Sequence, residues 1–150
     1  MIKNPERKRA YKRIEWMFRH WRKLERAVLE AREDRPRNQN IGGGHGGYVS
    51  DPTASTAIRN ITPIKFVEVD DELVRQPERW LSLMEHVYSQ CSDVEKQVFH
   101  KRYFERVNPT RTAIDLYMAE TTYFDLLNGI KSYAVEVALQ DGLITIRKSA

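Results

Sequence analysis

NPTRTAIDLYMAETTYFDLLNGIKSYAVEVALQDGL, residues 108–143, is the stretch on which the fold turns. Two apolar-periodic runs follow one another in it, and the segment reads as a helix-turn-helix over about 110–135. The first helix is expected over about Thr112 to Tyr117 and the second from near Glu120. Two short helices that cross steeply need six buried positions, which the register assigns to Thr112, Ala113, Leu116, Met118, Tyr123 and Leu126. Ala113 stands where the axes come closest, so a large side chain there would drive them apart. Outward on the second helix lie Glu120, Thr121, Thr122, Phe124, Asp125 and Asn128. A motif of this kind lays its second helix in the major groove with its N-terminal residues near the base edges, which makes these six the candidates for base readout. An ordinary helical hairpin in a bundle would show the same periodicity.

Working back from that stretch, Ser92 and Glu95 form a capping-box pattern for a helix that carries Val94, Val98, Phe99 and Tyr103 inward. Pro77 opens another, running to about Gln90, with Trp80, Leu81, Met84, Val87 and Tyr88 on one face. Ile61 to Val69 is β-branched and aromatic and reads equally as an extended run or as the start of that helix. The acidic run Glu68, Asp70, Asp71 and Glu72 has the composition of a solvated loop. Asp51-Pro52 suits an N-cap and first helical position, with a short helix to about Asn60. Arg35 to Ser50, with five glycines in six residues, cannot hold regular structure without a large entropic cost and reads as a linker. No Gly-Lys-Ser/Thr follows it, so it is not a nucleotide-cradling loop, and His45 has no ligand partners near it. Forward of the second helix, Tyr133, Ala134, Val137 and Ala138 continue an apolar face to Gly142, after which Leu143, Ile144 and Ile146 can fold back.

Pro5 to Glu33 lacks glycine and reads as one long helix. Ala10, Ile14, Met17, Trp21, Leu24, Val28 and Ala31 form a seam in steps of four and three, widened by Phe18. The seam must bury, either on the chain's own helices or on a second copy as a homodimer. Trp16 stands off it, with no role that the pattern assigns.

Net charge is +4, but residues 1–38 hold 13 Lys/Arg against 6 Asp/Glu, whereas residues 39–150 hold 12 against 15. The basic surface therefore belongs to the first helix, and such surfaces attract phosphate backbones through counterion release. Arg19, Arg22, Lys23 and Arg26, with Arg111 and Lys131 beside the helix-turn-helix, are the candidate phosphate contacts; the bland alternative is a solvated face. Cys91 is the sole cysteine, so no intrachain disulfide or cysteine-rich zinc site can form, in keeping with the cytoplasm. No apolar run approaches membrane-spanning length, and no signal-peptide pattern opens the chain.

Two segments carry a resemblance. DVEKQVFHKRYFE, residues 93–105, followed by the helix-turn-helix and VALQDGLI, residues 137–144, resembles the last DNA-binding region of bacterial sigma factors. With SDPTASTAI at residues 50–58, a basic first helix and a glycine linker, the order of parts is similar to the phage-encoded RinA/ArpU-type transcriptional activators. The resemblance implies regulation of phage late genes in a Gram-positive host cytoplasm. Ala119-Glu120 departs from the family's small polar residue at the start of the second helix, and Glu120 and Asp125 put negative charge on its outward face.

The expectation is an all-α protein of five to seven helices. It comprises a basic amphipathic helix over 1–34, a glycine-rich linker over 35–50 and a helical bundle over 51–150 that contains the helix-turn-helix. Function is expected to be that of a sequence-specific DNA-binding regulator, with double-stranded DNA as partner, host RNA polymerase as a further candidate, and no membrane. A small terminase subunit for phage DNA packaging and a non-DNA helical adaptor are the alternatives. No nucleophile with a base, no paired carboxylates and no metal-ligand cluster stand out, so neither an enzyme nor a cofactor is expected.

Overall fold

A computed structural model describes residues 5–33 and 62–146. The linker, His45 and the Asp51–Asn60 helix lie outside the described residues. Among those described, the chain is mostly helical, with six α-helices, one π-helical turn and a two-stranded sheet. In chain order these are α1 (Pro5–Arg19), α2 (Trp21–Glu33), β1 (Phe66–Val69), β2 (Glu72–Arg75), α3 (Pro77–Ser89), α4 (Asp93–Phe99), the π-turn (His100–Phe104), α5 (Pro109–Asp115) and α6 (Glu120–Gln140). No helix among the described residues is long and apolar enough to cross a membrane.

The chain divides into two compact units, Met1–Trp21 with Arg79–Ala150, and Arg22–Glu78. In the first, α1 packs on α6 and on the π-turn, and α4 and α5 also pack on α6. Ala10, Ile14, Met17, Phe18 and Trp21 are buried, as are Trp80, Leu83, Met84 and Val87 of α3. The seam from Ala10 to Trp21 is thus buried within this unit. Phe99 sits at the centre of an aromatic cluster, its ring 4.7–5.7 Å from those of Phe18, Trp21, Tyr88, Tyr103 and Phe104.

The second unit holds a small two-stranded addition to an otherwise helical fold. β1 and β2 pair antiparallel, Val69 opposite Glu72, and bury Val67, Val69 and Val74. The two loop residues, Asp70 (φ 48°) and Asp71 (φ 64°), both adopt left-handed backbone, the conformation of a type I′ turn matched to the twist of a hairpin. The acidic run is therefore a hairpin tip. Lys23 of α2 reaches Asp70 at 2.8 Å. Ile64 N–H donates to Glu78 Oε1 (2.9 Å), and Arg32 pairs with the same carboxylate.

The expected single helix over 5–33 is interrupted at His20. No proline or glycine marks the place; the Trp16 carbonyl oxygen accepts from His20 N–H at 3.0 Å and also has the His20 ring Nδ1 at 2.7 Å. Ser92 closes its capping box, accepting from Glu95 N–H at 3.3 Å while Glu95 Oε1 accepts from Ser92 N–H at 2.9 Å. Val94, expected inward, is 40% exposed, as is Tyr133. The π-turn follows α4 directly, with Glu105 N–H donating to the His100 carbonyl at 2.9 Å.

Candidate functional site

α5 starts three residues earlier than the spacing suggests. Asn108 is its N-cap, accepting from Arg111 N–H at 2.7 Å, and Pro109 takes the first helical position, where its missing N–H is no loss. The helix ends at Asp115 and does not reach Tyr117. Met118 N–H donates to the Ala113 carbonyl (2.9 Å) and Tyr117 N–H to the Ile114 carbonyl (3.2 Å), the paired bonds of a Schellman ending. That ending needs left-handed backbone at its pivot, normally supplied by glycine, and here Tyr117 adopts it (φ 55°) while 97% exposed. Tyr117→Gly is therefore expected to stabilise by about 1 kcal/mol, since strain is relieved and no packing is lost. Urea denaturation measures this, and a destabilised variant would mean the ring has a partner.

α6 begins at Glu120 behind Ala119, which supplies no side-chain cap. Across the pair, Thr112, Ala113 and Tyr123 are buried, and Leu116, Met118 and Leu126 half-buried. The fully covered leucine is Leu127, at 2% exposure, with Ile130 below it. Ala113 of α5 is buried in the packed interior, at 3% exposure. Ala113→Leu is expected to overpack it and remove about 1–3 kcal/mol, and a melting temperature equal to that of the parent would refute that packing.

Glu120, Thr121, Thr122, Phe124, Asp125 and Asn128 are all exposed. They occupy the first turns of a helix of 21 residues, whose later turns bury Ile130, Ala134, Val135 and Ala138. One helix thus presents its first part and anchors its second. The exposed part spans about 12 Å at 1.5 Å per residue, comparable to the width of a major groove. It carries two acids and no cation.

The six candidate phosphate contacts divide. Arg19 is bound by Glu15 (Nε–Oε1 3.0 Å), Lys23 by Asp70 and Arg111 by Asp115 (3.3 Å), yet each side chain is more than half exposed. Arg22 and Arg26 are exposed in the second unit. Lys131 is 19% exposed and held to Glu15 at 3.6 Å, an inward role that position alone did not reveal.

Glu15 is a residue the sequence did not single out. Besides Arg19 and Lys131 it meets Arg102 (3.4 Å) and accepts a hydrogen bond from the Tyr103 hydroxyl, so α1, the π-turn and α6 converge on one carboxylate. Burial alone would raise its pKa, but the Tyr103 hydroxyl and the cations Lys131, Arg19 and Arg102 outweigh burial and hold it below 4.5. Burial likewise pushes the Tyr123 hydroxyl up, against the guanidinium of Arg102. Its signal in sequence was an acid among cations, flanked by Ile14 and Trp16, too common a pattern to single out.

No group of three or more His, Cys, Asp or Glu among the described residues is placed to hold a metal ion. Burial, with Glu95 beside it, pushes the Cys91 thiol up to about 11, leaving it a weak nucleophile. Comparison with family models, with curated proteins and with solved structures finds no match.

Proposed function

We propose that α5 and α6 form a helix-turn-helix and that the chain is a sequence-specific DNA-binding transcriptional regulator, an activator of phage late genes. One observation carries the reading. The first turns of α6 present six exposed residues, most of them able to hydrogen bond, on a helix fixed from behind by Tyr123, Leu127 and Ile130. Rigid presentation of this sort is what base readout requires. Acids beside phosphate are costly, so Glu120 and Asp125 need a compensating contact. Either can accept a hydrogen bond from the amino group of cytosine, Asn128 can pair with adenine, and Phe124 and the threonine methyls can touch thymine methyls. Positioning then falls to cations elsewhere, which is the usual division between phosphate and base contacts.

Glu120→Ala and Asp125→Ala, titrated against a selected duplex and against random duplex, test this. The affinity gap between the two DNAs is expected to shrink by roughly 1–3 kcal/mol for each true base contact. Equal tightening on both would mean that the acids only repel phosphate. A second reading, a protein-binding helix pair, draws on the exposure of Ile114 (64%) and Tyr117; it requires the absence of salt-dependent duplex affinity.

A further inference from the structure

We infer that the outward face of α1 is a binding surface for the phosphate backbone of duplex nucleic acid, built on a stacked column of Arg13, Trp16 and His20 and flanked by Lys8, Arg9 and Lys12. None of these belongs to the six cations considered above. The reading of the partner as DNA underlies the inference; the surface itself does not depend on α6.

Helical spacing sorts α1 into two faces. Ala10, Ile14, Met17 and Phe18 are buried. On the opposite side, Lys8, Lys12 and Trp16 follow one another at steps of four, and Arg9 and Arg13 form the adjoining row. Lys8, Arg9 and Lys12 are exposed, and no ion pair among the described residues takes them up. Three cations within five positions, Lys8, Arg9 and Lys12, thus stand without an ion pair, and their mutual repulsion weakens the helix.

Trp16 explains the arrangement. Its indole stacks on the His20 ring (centroids 4.1 Å apart, planes 17° apart), and the Arg13 guanidinium lies 5.0 Å from the indole centroid. Arg13 is one turn before and His20 one turn after, so the indole is engaged from both ends by its own helix. The imidazole is further fixed by its contact with the Trp16 carbonyl. The column therefore holds Arg13 and His20 in place before any ligand arrives, sparing them the ordering cost of binding.

The chemistry narrows the occupant to a regular polyanion. Lys8 to His20 extends about 18 Å along the helix, a length that faces about five successive phosphates of one DNA strand. Base stacking on Trp16 is disfavoured because its neighbours already occupy the ring. Insertion into a bilayer is disfavoured because the apolar face of α1 is in the core. The far end of the surface also stands beside the readout segment. Glu15 bridges Arg19 of α1 and Lys131 of α6, and Lys131 lies three residues beyond Asn128.

The test is fluorescence anisotropy of the full chain with a random-sequence duplex across a salt series. The parent is compared with the triple variant Arg9→Gln/Lys12→Gln/Arg13→Gln and with Trp16→Ala, each checked for helicity. The triple variant is expected to flatten the log K against log salt slope by about two to three units. Trp16→Ala keeps every charge, so it should weaken binding about three- to tenfold with the slope unchanged. Helicity lost in the triple variant would be answered by Lys8→Gln/Lys12→Gln, expected to flatten the slope by about two units. An unchanged slope in the folded charge variants overturns the inference. So does tighter binding of the parent to single strands, or to phosphatidylserine vesicles, than to the duplex. If α1 variants lose affinity while Glu120→Ala and Asp125→Ala leave discrimination untouched, the surface stands and base readout by α6 falls; the reverse pattern retains readout and removes the surface.

Discussion

Glu15→Ala is expected to lower stability by about 3 kcal/mol, because removing one partner strands the others. Arg102 and Lys131, with side chains 23% and 19% exposed, would keep their charges without the carboxylate that compensates them. The Tyr103 hydroxyl would lose its acceptor. Glu15→Gln separates the two contributions, since its carbonyl can still accept from Tyr103 but carries no charge. The sign with pH follows from the depressed pKa of Glu15. Its folded value lies below the ordinary 4.5, so the stabilisation is complete above the unfolded value and is lost as pH falls through the folded one. The stability gap between the parent and Glu15→Gln should therefore hold steady from neutral pH to about pH 5 and close below it. Urea unfolding at several pH values measures this, and a gap that persisted at low pH would locate the stabilisation in packing.

Phe99→Ala is expected to have the largest effect, about 3–5 kcal/mol. The ring is fully buried and has five aromatic neighbours, four of them edge-on to it, an orientation that adds to what area burial supplies. Deleting it opens a cavity whose walls belong to α1, α2, α3 and the π-turn at once, leaving no single neighbour able to fill it. The thermal midpoint should fall on the order of 10–20 °C. Far-ultraviolet circular dichroism followed through the melt gives the number, and a loss under about 1 kcal/mol would mean that the cluster collapses around the gap.

Much of this architecture was legible because local signals agreed. The α5–α6 pair could be read from its apolar spacing, and the chain places Ala113 and Tyr123 inside as the spacing asked, though the start of α5 at the Asn108 cap and Pro109 went unread. The choice of Leu127 over Leu126 could not be read, because adjacent leucines differ by a rotation that only the packed neighbours decide. The hairpin stayed hidden because its turn is Asp-Asp rather than Asn-Gly; two acids in left-handed backbone look, in a string of letters, like a solvated run. The break at His20 had no glycine or proline to announce it. At the candidate site, exposure of the six outward residues of α6 followed from spacing alone. The fate of the cations did not, since whether Lys131 faces water or Glu15 depends on an element 116 positions away in the chain.

The π-turn at His100–Phe104 gives the chain an unusual sensitivity to length. Such a turn holds one residue more than the α-helix it interrupts. Removing a single residue there would not shorten a loop. It would let the ordinary ladder run on from α4, and everything downstream would swing by about 100° around that axis, since each helical residue turns by that much. The presenting face of α6 would then point elsewhere while each helix remained individually sound. A frame-preserving loss of one codon at these five positions would thus act as a change of aim.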